Sequence, residues 1–247
     1  MMINSISNAV NIIECFSAES SEIGVSDIST SLNMNKSTVH HIIKTLHSEG
    51  ILVRTPNRKY RLGSRLLGWG NLVSKQYNKF YNASPYLDEL VRKTNETVHL
   101  AVQENDKVSY LAKVEPKRPV KIKTSIGTHK PIYCTGLGKV LLATSPDLDD
   151  RKLYDLPLEG HTEDTITNHD DLIKELKKIS QQGYAVDNQE LEVGLYCLAV
   201  PIKDFMGNTV AAISVAGPEF RMNNRDIDFY LTYLKSTANK ISEYCEL

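Results

Sequence analysis

The chain has 247 residues, a formal net charge of −1 and 41% hydrophobic residues, enough for two ordinary domains with their own cores and too balanced for any argument from bulk positive charge. No apolar run approaches the ~20 residues of a membrane span, and the opening MMINSISNAV lacks the basic and apolar regions of a secretory signal. The four cysteines, Cys15, Cys134, Cys197 and Cys245, are scattered without a CxxC, which excludes a disulfide framework or a zinc-finger spacing, so reduced thiols and a cytoplasmic location are expected.

Residues 3–16 place Ile6, Val10, Ile13 and Phe16 on one helical stripe and predict an opening helix against a core. Residues 25–62 read as helix, turn, helix and basic hairpin, the plan of a winged helix-turn-helix. The first helix, about Val25 to Leu32, turns Val25, Ile28 and Leu32 inward, and Asn33-Met34-Asn35 forms a tight turn. In the second helix Val39, Ile42, Ile43 and Leu46 make the apolar stripe, while Lys36, Ser37, Thr38, His40, His41, Lys44 and Ser48 lie off it. Hydroxyl, imidazole and ammonium donors suit phosphate oxygens and base edges. Asn35 stands at the N-cap position and Gly50 at the left-handed position that ends the helix. The period then changes: 51–54 and 59–62 read as strands around the turn 55–58, with Arg54, Arg58, Lys59 and Arg61 making a cationic wing.

Local charge agrees with this assignment. Residues 1–35 hold four acids and no Lys or Arg, whereas residues 36–65 hold seven Lys or Arg against Glu49 alone. From Ser64 to Phe80 the chain is apolar and proline-free, with Leu66, Leu67, Trp69, Leu72, Val73, Tyr77 and Phe80. That is more apolar surface than one small domain needs, so it is read as a linker helix that also pairs with a second copy.

A second domain is expected from about Asn82. It opens with a helix over 83–95 that buries Leu87, Leu90 and Val91. Strands follow at 98–102, 108–112 and 120–124, helices near 136–144, 147–154 and 168–182, strands at 184–187, 195–203 and 209–216, and a last helix over 223–245. This order predicts an α+β fold, an antiparallel sheet covered by helices. The expected division is 1–63 for the winged helix-turn-helix, 64–81 for the linker helix and 82–247 for the sensor domain.

Several stretches in order resemble the IclR family of bacterial transcription regulators over nearly the whole chain. They are KSTVHHIIKTLHSEGIL with KYRLGSRLLGWG, then ETVHLAVQENDKVSYLAKVE, GTHKPIYCTGLGKVLLA, and GYAVDNQELEVGLYCLAVPIKD with TVAAISVAGP. The resemblance implies a winged helix joined to a GAF-like domain that binds a small effector, in dimers or dimers of dimers on a double-stranded operator. It places the Cys134, Thr135, Gly136, Leu137 turn and Asp187, Cys197, Ser214 and Ala216 at the effector. An organic acid would find N–H donors at the turn, a hydroxyl donor in Ser214 and an acceptor in Asp187. Ala216 stands where the family can carry a second serine, which removes a donor and implies a ligand other than the simplest keto acids. A further departure is His41, where members often carry arginine, a stronger phosphate partner than imidazole.

Alternatives stay open at this level. Gly136 and Gly138 suit either ligand approach or helix packing, Cys197 either a pocket wall or an ordinary buried thiol, and Glu190 a strand cap or a solvated side chain. Tyr133 and Val140 stand where a Walker A loop needs glycine and Ser/Thr, which excludes that motif. The competing class is a small-molecule or metal enzyme with an accessory winged helix. No Ser/His/Asp or Cys/His set can be assembled from the seven histidines, and Asp187 with Cys134 or Cys197 matches no zinc spacing. No enzyme activity, cofactor or metal is therefore expected.

Overall fold

The computed structural model describes residues 3–17, 19–118, 122, 124–145, 150–223 and 226–245. The chain forms two compact units, residues 1–76 and 77–247. In the first, α1 (Asn4–Glu14), α2 (Val25–Ser31) and α3 (Lys36–Ser48) precede an antiparallel hairpin of β1 (Leu52–Arg54) and β2 (Tyr60–Leu62), then α4 (Arg65–Gln76).

Local chemistry sets these boundaries. Asp27 accepts the Gly24 N–H at 3.2 Å and starts α2, and Asn33 at φ 50° turns the chain after it. Asn35 occupies the N-cap position of α3 by backbone conformation, but its side chain makes no cap hydrogen bond. At the other end Gly50 adopts φ 71°, and the Ile51 N–H reaches back to the Leu46 carbonyl at 2.9 Å. Ile12, Ile28, Val39, Ile43, Leu46, Leu52 and Tyr60 fill the core.

The opening helix departs from expectation. Its buried residue is Ile12, with Ala9, Ile13 and Phe16 packed beside it, while Ile6 and Val10 are 61% and 48% exposed. The predicted stripe was therefore rotated: one period fits both the buried edge and an apolar face left in solvent. Also unforeseen is the pairing of Ile23 with Tyr60, which adds a third strand-like segment to the wing. α4 buries none of its residues and stops at Gln76, short of the predicted Phe80, where a 3-10 helix (Asn78–Ala83) takes over.

The second unit contains α5 (Ser84–Thr94), β3 (Thr97–Glu104), β4 (Lys107–Val114), β5 (His129–Pro131), α6 (Gly136–Ala143), α7 (Asp150–Leu153), α8 (His169–Gln182), β6 (Ala185–Asn188), β7 (Leu195–Lys203), β8 (Thr209–Pro218), α9 (Glu219–Met222) and α10 (Ile227–Tyr244). The strands form one antiparallel sheet in the order β5-β4-β3-β8-β7-β6. The α+β expectation holds, with β5 and α9 as additions. The predicted strand at 120–124 falls largely outside the described residues, as do 147–149 of the predicted 147–154 helix and 224–225 of the last one.

Side-chain alternation divides the sheet into two unlike faces. Val98, Leu100, Val102, Leu198, Val200, Ile202, Ile213 and Val215 pack on α5 and α10 in a dry core. The other face carries Ala101, Ala185, Ala199 and Ala212 beneath α6 and α8, and on this small-residue face stand His99, Asp187, Cys197 and Ser214. A bulge after Leu100 pairs Ala101 with Tyr110 and keeps Tyr110 on that face. At the far end of β3 the buried Glu96 takes a bidentate ion pair from Arg221 of α9, at 2.5 and 2.7 Å, tying α9 to the sheet.

Candidate functional site

Each unit presents one candidate surface. In the first, Lys36, Ser37, Thr38, His40, His41 and Lys44 are all exposed along α3, because Val39, Ile43 and Leu46 turn the opposite face into the core. Arg54, Arg58, Lys59 and Arg61 are exposed on the hairpin. Arg58 sits at the tip with φ 60°, and the Thr55 N–H to Lys59 carbonyl bond at 2.8 Å closes the turn. Helix and wing thus offer ten donor side chains of the kind that grips a phosphate backbone. Imidazole is a weaker phosphate partner than the bidentate guanidinium. His41→Arg is therefore expected to tighten DNA binding, by fluorescence anisotropy; an unchanged affinity would remove His41 from the contact.

In the second unit a cavity opens between the start of α6 and the small-residue face of the sheet. Thr135, Gly136, Leu137, Asp187, Cys197, Ser214 and Ala216 all line it. Cys134 does not; it is fully buried in the core under α6. Eight further lining residues were not singled out from sequence: His99, Tyr110, Ile122, Thr124, Lys130, Leu191, Glu192 and Leu195. His99 had a legible signal, a polar residue alternating with Val98 and Leu100 in a buried strand. Lys130, on a three-residue edge strand, had none.

The wall at α6 follows from its sequence. Thr135 is the N-cap, accepting the Gly138 N–H at 3.0 Å. That leaves the N–H groups of Gly136 and Leu137, ahead of the intrahelical ladder, at the cavity. A Cβ on Gly136 would stand 3.3 Å from Cys197 Sγ and 3.6 Å from the Asp187 nitrogen, so the helix start lies directly over β6 and β7. Gly138 serves packing instead, because a Cβ there would run into the Ile132 carbonyl.

Across the sheet, Ser214 pairs in register with His99 and with Ala199. Its hydroxyl is fully buried and has no hydrogen-bond partner; the Cys197 thiol is near enough for Ser214 to lower its pKa, yet no hydrogen bond of acceptable geometry joins them. A buried hydroxyl left without a partner calls for an explanation. The Lys130 ammonium has no hydrogen-bond or ion-pair partner among the described residues. His99 bonds Thr124 Oγ1 at 2.7 Å, and burial with the nearby Lys113 holds its pKa down to about 3, so the ring is neutral. Burial pushes the thiols of Cys134 and Cys197 up to about 12, so neither is a thiolate nucleophile at neutral pH.

Behind the cavity wall Glu190 is buried, not solvated. Lys139 of α6, 1% exposed, donates to Glu190 Oε1, and Glu175 lies 3.9 Å from the same ammonium. The Glu190 N–H in turn donates to Asp187 Oδ1 at 2.9 Å. No group of three or more His, Cys, Asp or Glu among the described residues is placed to hold a metal ion.

Residues 73–243 match the family model described as the bacterial transcriptional regulator IclR C-terminal domain, and residues 5–56 match the IclR helix-turn-helix domain. The chain is 32% identical over 244 residues to the HTH-type transcriptional regulator KdgR of Escherichia coli strain K12, covering 97% of this chain and 92% of KdgR. Among solved structures it is similar to the IclR of Thermotoga maritima, with a TM-score of 0.79 and 31% identity over the whole of both chains. An IclR homologue from Microbacterium hydrocarbonoxydans, solved in complex with 4-hydroxybenzoate, shares the fold at TM-score 0.79 and 24% identity, covering 97% of this chain and 98% of that one.

Proposed function

We propose that this chain, which belongs to the IclR family of bacterial transcription regulators, is a repressor whose operator binding is controlled by a small carboxylate-bearing metabolite held between α6 and the sheet. The observation that carries this reading is the convergence on one cavity of unspent donors: the first N–H groups of α6, the orphaned hydroxyl of Ser214 and the ammonium of Lys130. Helix N-termini attract anions, and the side chains of Leu137, Leu191 and Leu195 supply an apolar part of the wall.

In the first unit α3 acts as the reader, through Lys36, Ser37, Thr38, His40, His41 and Lys44. Arg54, Arg58, Lys59 and Arg61 of the wing lie on the backbone or minor groove. Two copies reading a pseudo-palindromic operator would set half-sites about one helical turn apart. The exposed Leu67, Trp69, Leu72 and Val73 of α4 supply the apolar surface for such a pairing, and a dimer of dimers remains compatible with it. Catalysis has no part in this reading. No described helix is long and apolar enough to cross a membrane, and the scattered reduced thiols fit a cytoplasmic regulator.

The test is thermal stability of the full chain against a panel of small carboxylates, sugar acids and aromatic acids. A ligand that binds the native state at about a hundred times its Kd stabilises by about 2.7 kcal/mol, and the same acid should release the chain from its operator. A panel that leaves both melting temperature and operator affinity unmoved would overturn effector control.

A further inference from the structure

Resting on the effector reading above, we propose that Asp187 meets the effector as an acid: its carboxyl keeps a proton and donates it in a hydrogen bond to the effector's carboxylate, so that effector and proton bind together. The sequence alone suited Asp187 to the opposite role, as an acceptor for a ligand hydroxyl. Its position reverses that. The start of α6, where an anion is drawn, sits directly over the β6 backbone at Asp187, and Asp187 lines the same cavity as Gly136 and Leu137, so the proposal sets an anion lodged there against Asp187. Ser214, fully buried and without a partner, opens into the same cavity and marks it independently as a site that awaits a polar group.

Charge counting supplies the rest. Asp187 is 2% exposed, and no cation pairs with it among the described residues. Facing it are Glu190 from the β6–β7 loop, Lys139 from α6, Cys197 from β7, Cys134 ahead of α6 and Tyr110 from β4. Glu192, Lys130 and the neutral His99 line the cavity further round. Lys139 is already engaged by Glu190 and lies 3.9 Å from Glu175 of α8, so this cluster holds three carboxyls, Asp187 included, for one ammonium. Adding the effector's carboxylate makes four. Neighbouring carboxylates out of water share a proton in preference to ionising together. Burial and Glu190 lift the Asp187 pKa to about 7, against the opposing pull of Lys139 and of the Glu190 and Leu191 N–H groups. The free protein is thus close to taking up the proton at neutral pH, and an arriving anion completes the uptake from solvent.

The experiment is calorimetric titration of the full chain with benzoate, 4-hydroxybenzoate, pyruvate and gluconate at about pH 6 and about pH 8.5. At the higher pH it is repeated in two buffers of different ionisation enthalpy. From an Asp187 pKa of about 7, the affinity of any binding acid should be about thirtyfold weaker at the higher pH. Nearly one proton per site should be taken up there. Asp187→Asn, whose amide N–H donates without taking up a proton from solvent, should bind with the same affinity at both pH values. Affinity that is flat or stronger at high pH in the wild type, or a folded Asp187→Asn that no longer binds, would overturn the proposal while leaving effector control intact. If Asp187→Asn does not fold, the buffer dependence of the wild type decides alone. Binding of none of the four acids at either pH would overturn the carboxylate reading and this inference with it.

Discussion

Gly138→Ala is expected to destabilise the second unit by about 3 kcal/mol or more, the upper range for forced overpacking, and to lower its melting temperature by roughly 10 °C. A Cβ at this position would overlap the Ile132 carbonyl oxygen and stand 2.7 Å from the carbonyl carbon. The obstacle is main chain, which cannot rotate aside. Ile132 is itself fully buried in the core that α6 and α8 share, so relief requires shifting α6 away from the Ile132 main chain. Gly136, two residues earlier, is the internal control: its Cβ would meet Cys197 Sγ at 3.3 Å and Ala199 Cβ at 3.5 Å, contacts that small adjustments absorb. Gly136→Ala should cost about 1 kcal/mol or less while narrowing the cavity. Urea unfolding of both variants checks the contrast, and equal stabilities would show that α6 does not approach Ile132 so closely.

Lys139→Met should cost about 3–5 kcal/mol, the usual range for removing one partner of a buried ion pair. The methionine preserves the packing of the stem and leaves Glu190 without its cation, beside Asp187 and with one carboxylate oxygen already lacking a hydrogen bond. Burial already raises the Glu190 pKa, and the ammonium pulls it down. Without the ammonium it rises further. A carboxyl whose folded pKa exceeds its unfolded value makes stability fall as pH climbs from the unfolded value through the folded one. The deficit of Lys139→Met should therefore be largest near pH 8 and shrink toward pH 5. Lys139→Met with Glu190→Gln should recover much of the loss, since both charges are then gone. Denaturant unfolding across that pH range decides it; a deficit that ignores pH and the second substitution would mean that the stem, not the charge, matters.

The two variants bear on function because Lys139 joins the two walls of the cavity. Its own helix supplies the N–H groups of Gly136 and Leu137. Its partner Glu190 lies in the loop that brings Leu191 and Glu192 to the cavity. The arrangement was invisible along the chain because Lys139 and Glu190 are 51 residues apart. A glutamate in a polar loop ordinarily belongs to solvent, and only the packing of α6 over β6 removes it from water.

Local patterns carried the elements well. The apolar period of α3, the glycine that ends it and the change of period into the wing are short-range physics, and each is found where the sequence put it. The opening helix shows the limit. Ile3, Ile6 and Val10 satisfy an amphipathic pattern as well as Ile12 does, yet the three are exposed. Hydrophobic period marks a face without saying what covers it. The linker was overextended for a related reason: apolar residues continue past Gln76, but Phe80 and Ala83 belong to the core on α5 and α10, and meeting that core bends the chain into a 3-10 turn.

By itself the sequence determined the two-part plan, the α+β class and the cationic face of helix and wing, because period and capping are written within a few residues, and its resemblance to the family pointed to seven of the fifteen residues that line the cavity. Tertiary structure alone decided which of those groups are unspent. Ser214 is orphaned only because β3 and β7 pack on either side of it, and the proposed proton on Asp187 follows from a count of charges drawn from α6, β6, α8 and the β6–β7 loop. Burial and pairing are properties of what surrounds a residue, and the surroundings here come from segments far apart in the chain.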